Sequence, residues 1–117
     1  MSSLIRNSNQ TKQGIDSVLE FDNEALILME VKKKGNKIPT GQRLVLERIA
    51  NSWHTNKSVV LYVTHSFKND NKDIPLSECN VDSVYINKEW KILNKTISLS
   101  DTLSVLGKKW NINKLKK

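Results

Sequence analysis

The sequence predicts an α/β domain built on a mixed β-sheet flanked by helices. Three observations point there. Ala25 to Lys32 is a nearly continuous apolar run, as expected of a strand buried on both faces in the middle of a sheet. Ser58 to His65 (SVVLYVTH) is a second such run. Between them Leu46, Ile49, Ala50 and Trp53 recur at helical spacing, and a helix joining two buried strands makes a crossover that sets those strands parallel.

The elements follow in order. Residues 1–13 are polar and lack apolar periodicity. Ile15 to Phe21 alternates, with Ile15, Ser17, Leu19 and Phe21 on one face, and predicts a strand that forms a hairpin with Ala25 to Lys32 through a turn at Asp22-Asn23. Lys33 to Lys37 breaks the pattern at Gly35; Thr40 is then the expected N-cap of a helix from about Gly41 to Trp53, with Gln42 on its first turn at the edge of the buried face. Phe67 to Glu78 reads as loop, broken by Pro75. Val81 to Leu93 predicts a short C-terminal hairpin turning at Asn87-Lys88, and Ser100-Asp101 is placed to cap a last helix that Gly107 would stop.

At 117 residues the chain predicts one domain, 1–117, with residues 1–13 and 108–117 the least tied down. One cysteine, Cys79, excludes a disulfide framework or a thiolate zinc site within the chain. The apolar runs are too short to span a bilayer, and the N-terminus lacks the apolar core of a signal peptide, so the expected location is the cytoplasm, with no membrane partner. The net charge of +7 is uneven: from Lys88 onward eight lysines face two acidic residues. Such a balance suits a polyanionic partner, because lysines that neutralise phosphates release counterions. Candidate phosphate contacts are Lys33, Lys34, Lys37 and Arg43 after the second strand and Lys108, Lys109 and Lys114 in the tail.

The apolar second strand ends in alternating charge, Glu30-Val31-Lys32. If the hairpin loop is the three residues Asp22-Asn23-Glu24, Phe21 faces Ala25 and Asp16 faces Glu30 on the same side of the sheet, about 4.5–5.5 Å apart. A two-residue loop would instead put Met29 opposite Asp16. Two carboxylates so placed repel unless a cation lies between them, and Lys32 falls two residues along on that face. Carboxylates that hold a hard divalent cation, with a lysine to stabilise charge developing on phosphate, suit hydrolysis of a phosphodiester bond. The triplet alone is weak, since six glutamates and sixteen lysines predict about one Glu-x-Lys by chance, and a second stands at Glu89-Trp90-Lys91. The site therefore depends on the hairpin register.

Asp16, the Glu30-Val31-Lys32 triplet, a glycine-containing turn and a helix opening with Gln42, in that order, resemble the PD-(D/E)xK nuclease superfamily, which includes Holliday-junction resolvases, restriction endonucleases and small phage nucleases. The likeness is to small phage-encoded members and covers about a third of the chain. It implies a restriction-endonuclease-like core and a metal-dependent endonuclease acting on DNA with Mg²⁺ or Mn²⁺. It also implies a phage or mobile element as the source, the cytoplasm of a bacterial host as the location and, from the resolvases, a homodimer. By resemblance Asp16 and Glu30 are metal ligands, the Val31 carbonyl adds a third oxygen, Lys32 is the catalytic lysine and Gln42 an auxiliary residue near the phosphate. There are two departures. Ile15 stands where the family's proline usually precedes the aspartate, and residues 1–13 hold no acidic residue where members commonly have a helix with a glutamate near the metal. A catalytically inactive nuclease-fold protein that binds DNA or a protein partner is the second expectation.

Overall fold

A computed structural model of the chain describes residues 4–5, 17–66, 74–75 and 78–115. Its elements are β1 (Leu4–Ile5), β2 (Ser17–Phe21), β3 (Ala25–Lys33), α1 (Thr40–Asn51), β4 (Ser58–His65), β5 (Ile74–Pro75), β6 (Asn80–Ile86), β7 (Glu89–Ser98) and α2 (Leu99–Trp110). The fold is α/β, as expected: a mixed five-stranded sheet in the order β2-β3-β4-β6-β7, flanked by the two helices. β1 and β5 form a separate antiparallel pair in stretches read from sequence as non-strand, because two residues offer no period to read.

The β2–β3 turn sets the register of the site strand. Phe21 pairs with Ala25 and Ser17 with Met29, the three-residue-loop register. The left-handed positions fall on Asp22 (φ 53°) and Asn23 (φ 59°), residue types whose short polar side chains tolerate that conformation, so Glu24 is spared it. The Glu24 N–H closes the turn on the Phe21 carbonyl at 2.8 Å, and the Glu20 carboxylate accepts the Asn23 N–H. The last described pair is Ser17 with Met29; Ile15 and Asp16 lie outside the described residues.

Because β3 and β4 are central, each buries both faces. Their odd residues, Ile27, Met29, Val31, Leu61 and Val63, pack with Leu99, Leu103, Leu106 and Trp110 of α2 in the larger core. On the other face Leu26, Leu28 and Val60 meet Leu46 and Ala50 of α1. The crossover is parallel, Leu26 with Ser58 through Lys33 with His65, so α1 runs back over the sheet with its first turn above the C-terminal ends of β3 and β4. The outer side of α1 is fastened to the β6–β7 hairpin, where Tyr85 Oη donates to Asn51 at 3.1 Å and Trp90 Nε1 to Glu47 at 2.7 Å.

Several helix boundaries differ from expectation. Pro39, with extended ψ and no side-chain hydrogen bond, precedes α1, and Thr40 is its first residue instead of its cap. Ser98, not Ser100, caps α2, its side chain accepting the Asp101 N–H at 3.0 Å. Gly107 does not stop α2: it is buried within the helix, which ends one turn later at left-handed Asn111 because the apolar stripe continues to Trp110. Trp110 is 7% exposed in the α2 core, and Leu115 beyond it is buried as well. Among the described residues no helix is long and apolar enough to cross a membrane.

Leu46 is fully buried at the centre of the α1 contact, whereas Leu44 on the same helix is 39% exposed. Leu46→Ala is expected to cost about 2–5 kcal/mol and Leu44→Ala within about 0.5 kcal/mol, as read by chemical denaturation. Burial of the Cys79 thiol, with Glu78 adding to it, pushes its pKa up to about 11. Native protein at pH 8 should therefore resist thiol reagents until unfolded. Because the folded value is raised, the Cys79 contribution to stability is complete below the unfolded thiol pKa and is lost as pH rises from there toward about 11. Cys79→Ala should lack that decline in a pH series of melting curves.

Candidate active site

Local alternation explains the charge at the end of β3. Leu26, Leu28, Glu30 and Lys32 project to the α1 face, and the first two fill the core against Leu46. Beyond Leu46 only the first turn of α1 remains to cover the sheet, and there the strand changes from leucine to Glu30 and Lys32. Glu30 has no exposed surface, and its Oε1 lies 3.1 Å from Nζ of Lys32, whose side chain is 28% exposed. The carboxylate sits inside and the ammonium at the mouth. A carboxylate taken out of water is costly without a cation close by, and a buried ion pair rarely adds more stability than an apolar pair would.

The registers extend this pair into two polar rows. Glu30 stands beside Tyr62 and Tyr62 beside Ser83; one step along, Lys32 stands beside Thr64 and Thr64 beside Asn80. The ladder shifts at Asp82, a bulged residue between Val81 and Ser83. Bulges are frequent where a sheet re-aims side chains beside a site. Tyr62 Oη is buried without a hydrogen-bond partner among the described residues. Burial pushes its pKa up, as do the nearby charges of Asp82 and Glu30. Gln42, one turn before Leu46 on the same helix face, is 4% exposed, deeper than the edge position expected.

The β3–α1 connection borders the site. Gly35 adopts φ +95°, a conformation open to glycine, and the Asn36 N–H closes the turn on the Lys33 carbonyl at 3.0 Å. The Lys34 N–H holds the turn to the His65 carbonyl at 2.7 Å. A cleft of about 400 Å³ opens between this turn and the bulged part of β6 and β7, with Tyr62, Thr64 and Asn80 in its wall.

The sequence-derived candidates divide. Glu30, Lys32 and Gln42 converge at one end of the sheet. Val31 lies between the first two in the strand, its side chain buried on the α2 face. Asp16 lies outside the described residues. Glu20, a conceivable substitute for it, is four residues nearer the turn and occupied there by the Asn23 N–H. Lys34 and Lys37 border the adjoining cleft, Lys33 follows His65 to the α2 face by alternation, and Arg43 faces Glu47 on its own helix, 3.9 Å away. Lys108, Lys109 and Lys114 do not join them. α2 runs back from the site end, so its last turn and Lys114 sit by the β2–β3 turn, where Lys114 and Trp110 share a cleft with Phe21 and Asp22. The seven cations expected to contact one polyanion thus occupy opposite ends of the sheet.

His65 reaches the same end of the sheet, paired with Lys33, but alternation puts it with Leu61 and Val63 on the other face, where it is 2% exposed. In Glu89-Trp90-Lys91 the order is inverted: Trp90 packs inward at 5.3 Å from the Tyr85 ring while both charges face solvent. Tyr62, Thr64, Asn80 and Lys95 were missed. The signal for the first two was present, since Tyr62 and Thr64 interrupt one apolar strand at alternate positions just as Glu30 and Lys32 interrupt the other. It became readable only with the parallel register.

Among the described residues no three His, Cys, Asp or Glu side chains group to hold a metal ion. The Glu30 carboxylate and the carbonyls of its strand are all-oxygen donors of the kind a hard cation takes. Comparison with family models, with curated proteins and with solved structures finds no match for this chain.

Glu30→Gln keeps the side chain's volume and removes the buried charge, while Lys32 can turn its end to water. Lys32→Met removes the cation 3.1 Å from the carboxylate. Thermal melts should show Glu30→Gln at or above wild type. Lys32→Met should lose stability, toward the lower end of about 3–5 kcal/mol because Lys32 is partly exposed. A Lys32→Met variant as stable as wild type would mean that the buried carboxylate does not depend on that ammonium.

Proposed function

We propose that this protein is a metal-dependent nuclease that hydrolyses phosphodiester bonds in DNA, on a core of restriction-endonuclease type. The observation that carries this reading is the fully buried Glu30 carboxylate held 3.1 Å from a partly exposed Lys32 at the C-terminal end of a central strand. The pair lies beside a cleft that cations border. A hairpin register with Phe21 opposite Ala25, the three-residue-loop register that the site requires, supports it too.

In this reading Asp16, Glu30 and the Val31 carbonyl hold Mg²⁺ or Mn²⁺, which supplies Lewis-acid polarisation of the scissile phosphate. The chain's own groups do the rest. Lys32, at the mouth, donates hydrogen bonds to a non-bridging phosphate oxygen and stabilises the charge that grows there as the nucleophile adds. Gln42 fixes the orientation of the buried carboxylate end from the first turn of α1. The apolar residues beneath, Leu28 and Leu46, exclude water from behind the site and hold its groups in place. Lys33, Lys34 and Lys37 attract the polyanion without reading its sequence.

A second reading, a DNA-binding protein that does not cleave, is favoured by the described residues grouping no three His, Cys, Asp or Glu side chains that could hold a metal ion. A cleavage panel of linear, branched and single-stranded DNA with Mn²⁺ separates the two. Wild type should cut at least one substrate, while Asp16→Ala, Glu30→Gln and Lys32→Ala should fall by a factor of about 100 or more, the usual scale for losing a group that stabilises the transition state. Equal activity in all four proteins would refute the nuclease reading. Salt-sensitive binding with no cleavage under either metal would establish the second one.

A further inference from the structure

The cleft beside Glu30 and Lys32 has a shape that says more about the substrate. One wall is the β3–α1 turn, which presents Lys34 and Lys37; the other is β7, which presents Lys95. Its floor crosses from β4 to β7 through β6 and carries Tyr62, Thr64 and Asn80, the ends of the two polar rows that begin at Glu30 and Lys32. Two strand spacings make that floor about 10 Å wide. A volume of about 400 Å³ falls in the range that holds one small molecule. Such a cleft admits one sugar–phosphate unit with its base and is too narrow for a duplex, whose major groove alone is about 12 Å wide. Cations on facing walls with hydrogen-bonding side chains and an aromatic residue between them are the usual means of holding a single strand.

Resting on the nuclease reading of Glu30 and Lys32, we propose that this cleft is a subsite for one nucleotide of a single-stranded segment, so that the substrate is DNA with an unpaired stretch next to the scissile phosphate. Lys37 and Lys95 hold the phosphates on either side of that nucleotide. Tyr62, Thr64 and Asn80 line the floor beneath the strand. The Asp82 carboxylate on the bulge also lines the cleft and repels the phosphates of a second strand.

The test is equilibrium binding in EDTA, where nothing is cut, of a dye-labelled single-stranded oligonucleotide and a hairpin duplex of the same sequence. Wild type should bind the single strand at least about tenfold more tightly. Lys37→Ala and Lys95→Ala should each weaken single-strand binding about three- to tenfold and flatten its dependence of log K on log salt by about 0.7, the increment for one phosphate contact on a single strand. Arg48→Ala, in the last turn of α1 at the opposite end of the sheet, should change neither. Equal affinity for strand and duplex, or wild-type binding by both Lys37→Ala and Lys95→Ala, would overturn the proposal. The two readings fail separately. Single-strand preference that depends on Lys37 and Lys95 in a protein that never cleaves sinks the nuclease reading alone, and Glu30-dependent cleavage of uninterrupted duplex with no effect of those lysines sinks the subsite alone.

Discussion

A carboxylate with no exposed surface, at the end of a strand that is otherwise aliphatic, constrains the rest of this molecule. Glu30 can be there only because Lys32 follows at 3.1 Å, and Lys32 can reach it only because alternation returns to the same face two residues on. That face must be covered, or the carboxylate would be solvated, and it must not be covered completely, or the ammonium would be stranded as well. The first turn of α1 meets both conditions, and the parallel crossover puts it there. Burial of Leu46 is thus as much a condition of the site as the charges themselves.

The sheet divides the molecule's charge into two regions. Lys32, Lys33, Lys34, Lys37 and Lys95 gather where β3, β4 and β7 end, next to polar side chains that interrupt the apolar strands. The cations of α2 and the segment after it gather at the other end, over a floor of Phe21 and Trp110. A net charge of +7 therefore does not describe one binding face. Among the described residues the first region has the buried Glu30 carboxylate beneath it, whereas the second lies over aromatic side chains.

The hairpin illustrates how local chemistry and tertiary packing share the work. Asp22 and Asn23 tolerate positive φ, so the turn residues alone favour a tight reversal, but they do not choose between a two- and a three-residue loop. Packing does. With Phe21 opposite Ala25, Leu19 and Phe21 face the α2 core; a one-residue slip would turn them to the side where Val18 and Glu20 are exposed. The same contrast governs α2, where Gly107 is a plausible stop by propensity and Trp110 overrides it by burying the next turn.

What the sequence by itself determined is whatever repeats with a short period or needs a particular residue: two doubly buried strands, the helix between them, the turn at Asn87-Lys88, and Glu30, Lys32 and Gln42 as neighbours at one end of a sheet. Each rests on contacts within a few residues or on one crossover rule. Tertiary structure alone decided that Tyr62 and Thr64 continue the rows of Glu30 and Lys32, that His65 turns to the opposite face, and that a bulge at Asp82 opens a cleft toward Lys95. The reason is physical. Which strand lies beside which, and where a ladder slips by one residue, depends on how both sheet faces fill against helices distant in the chain. No local pattern carries that information.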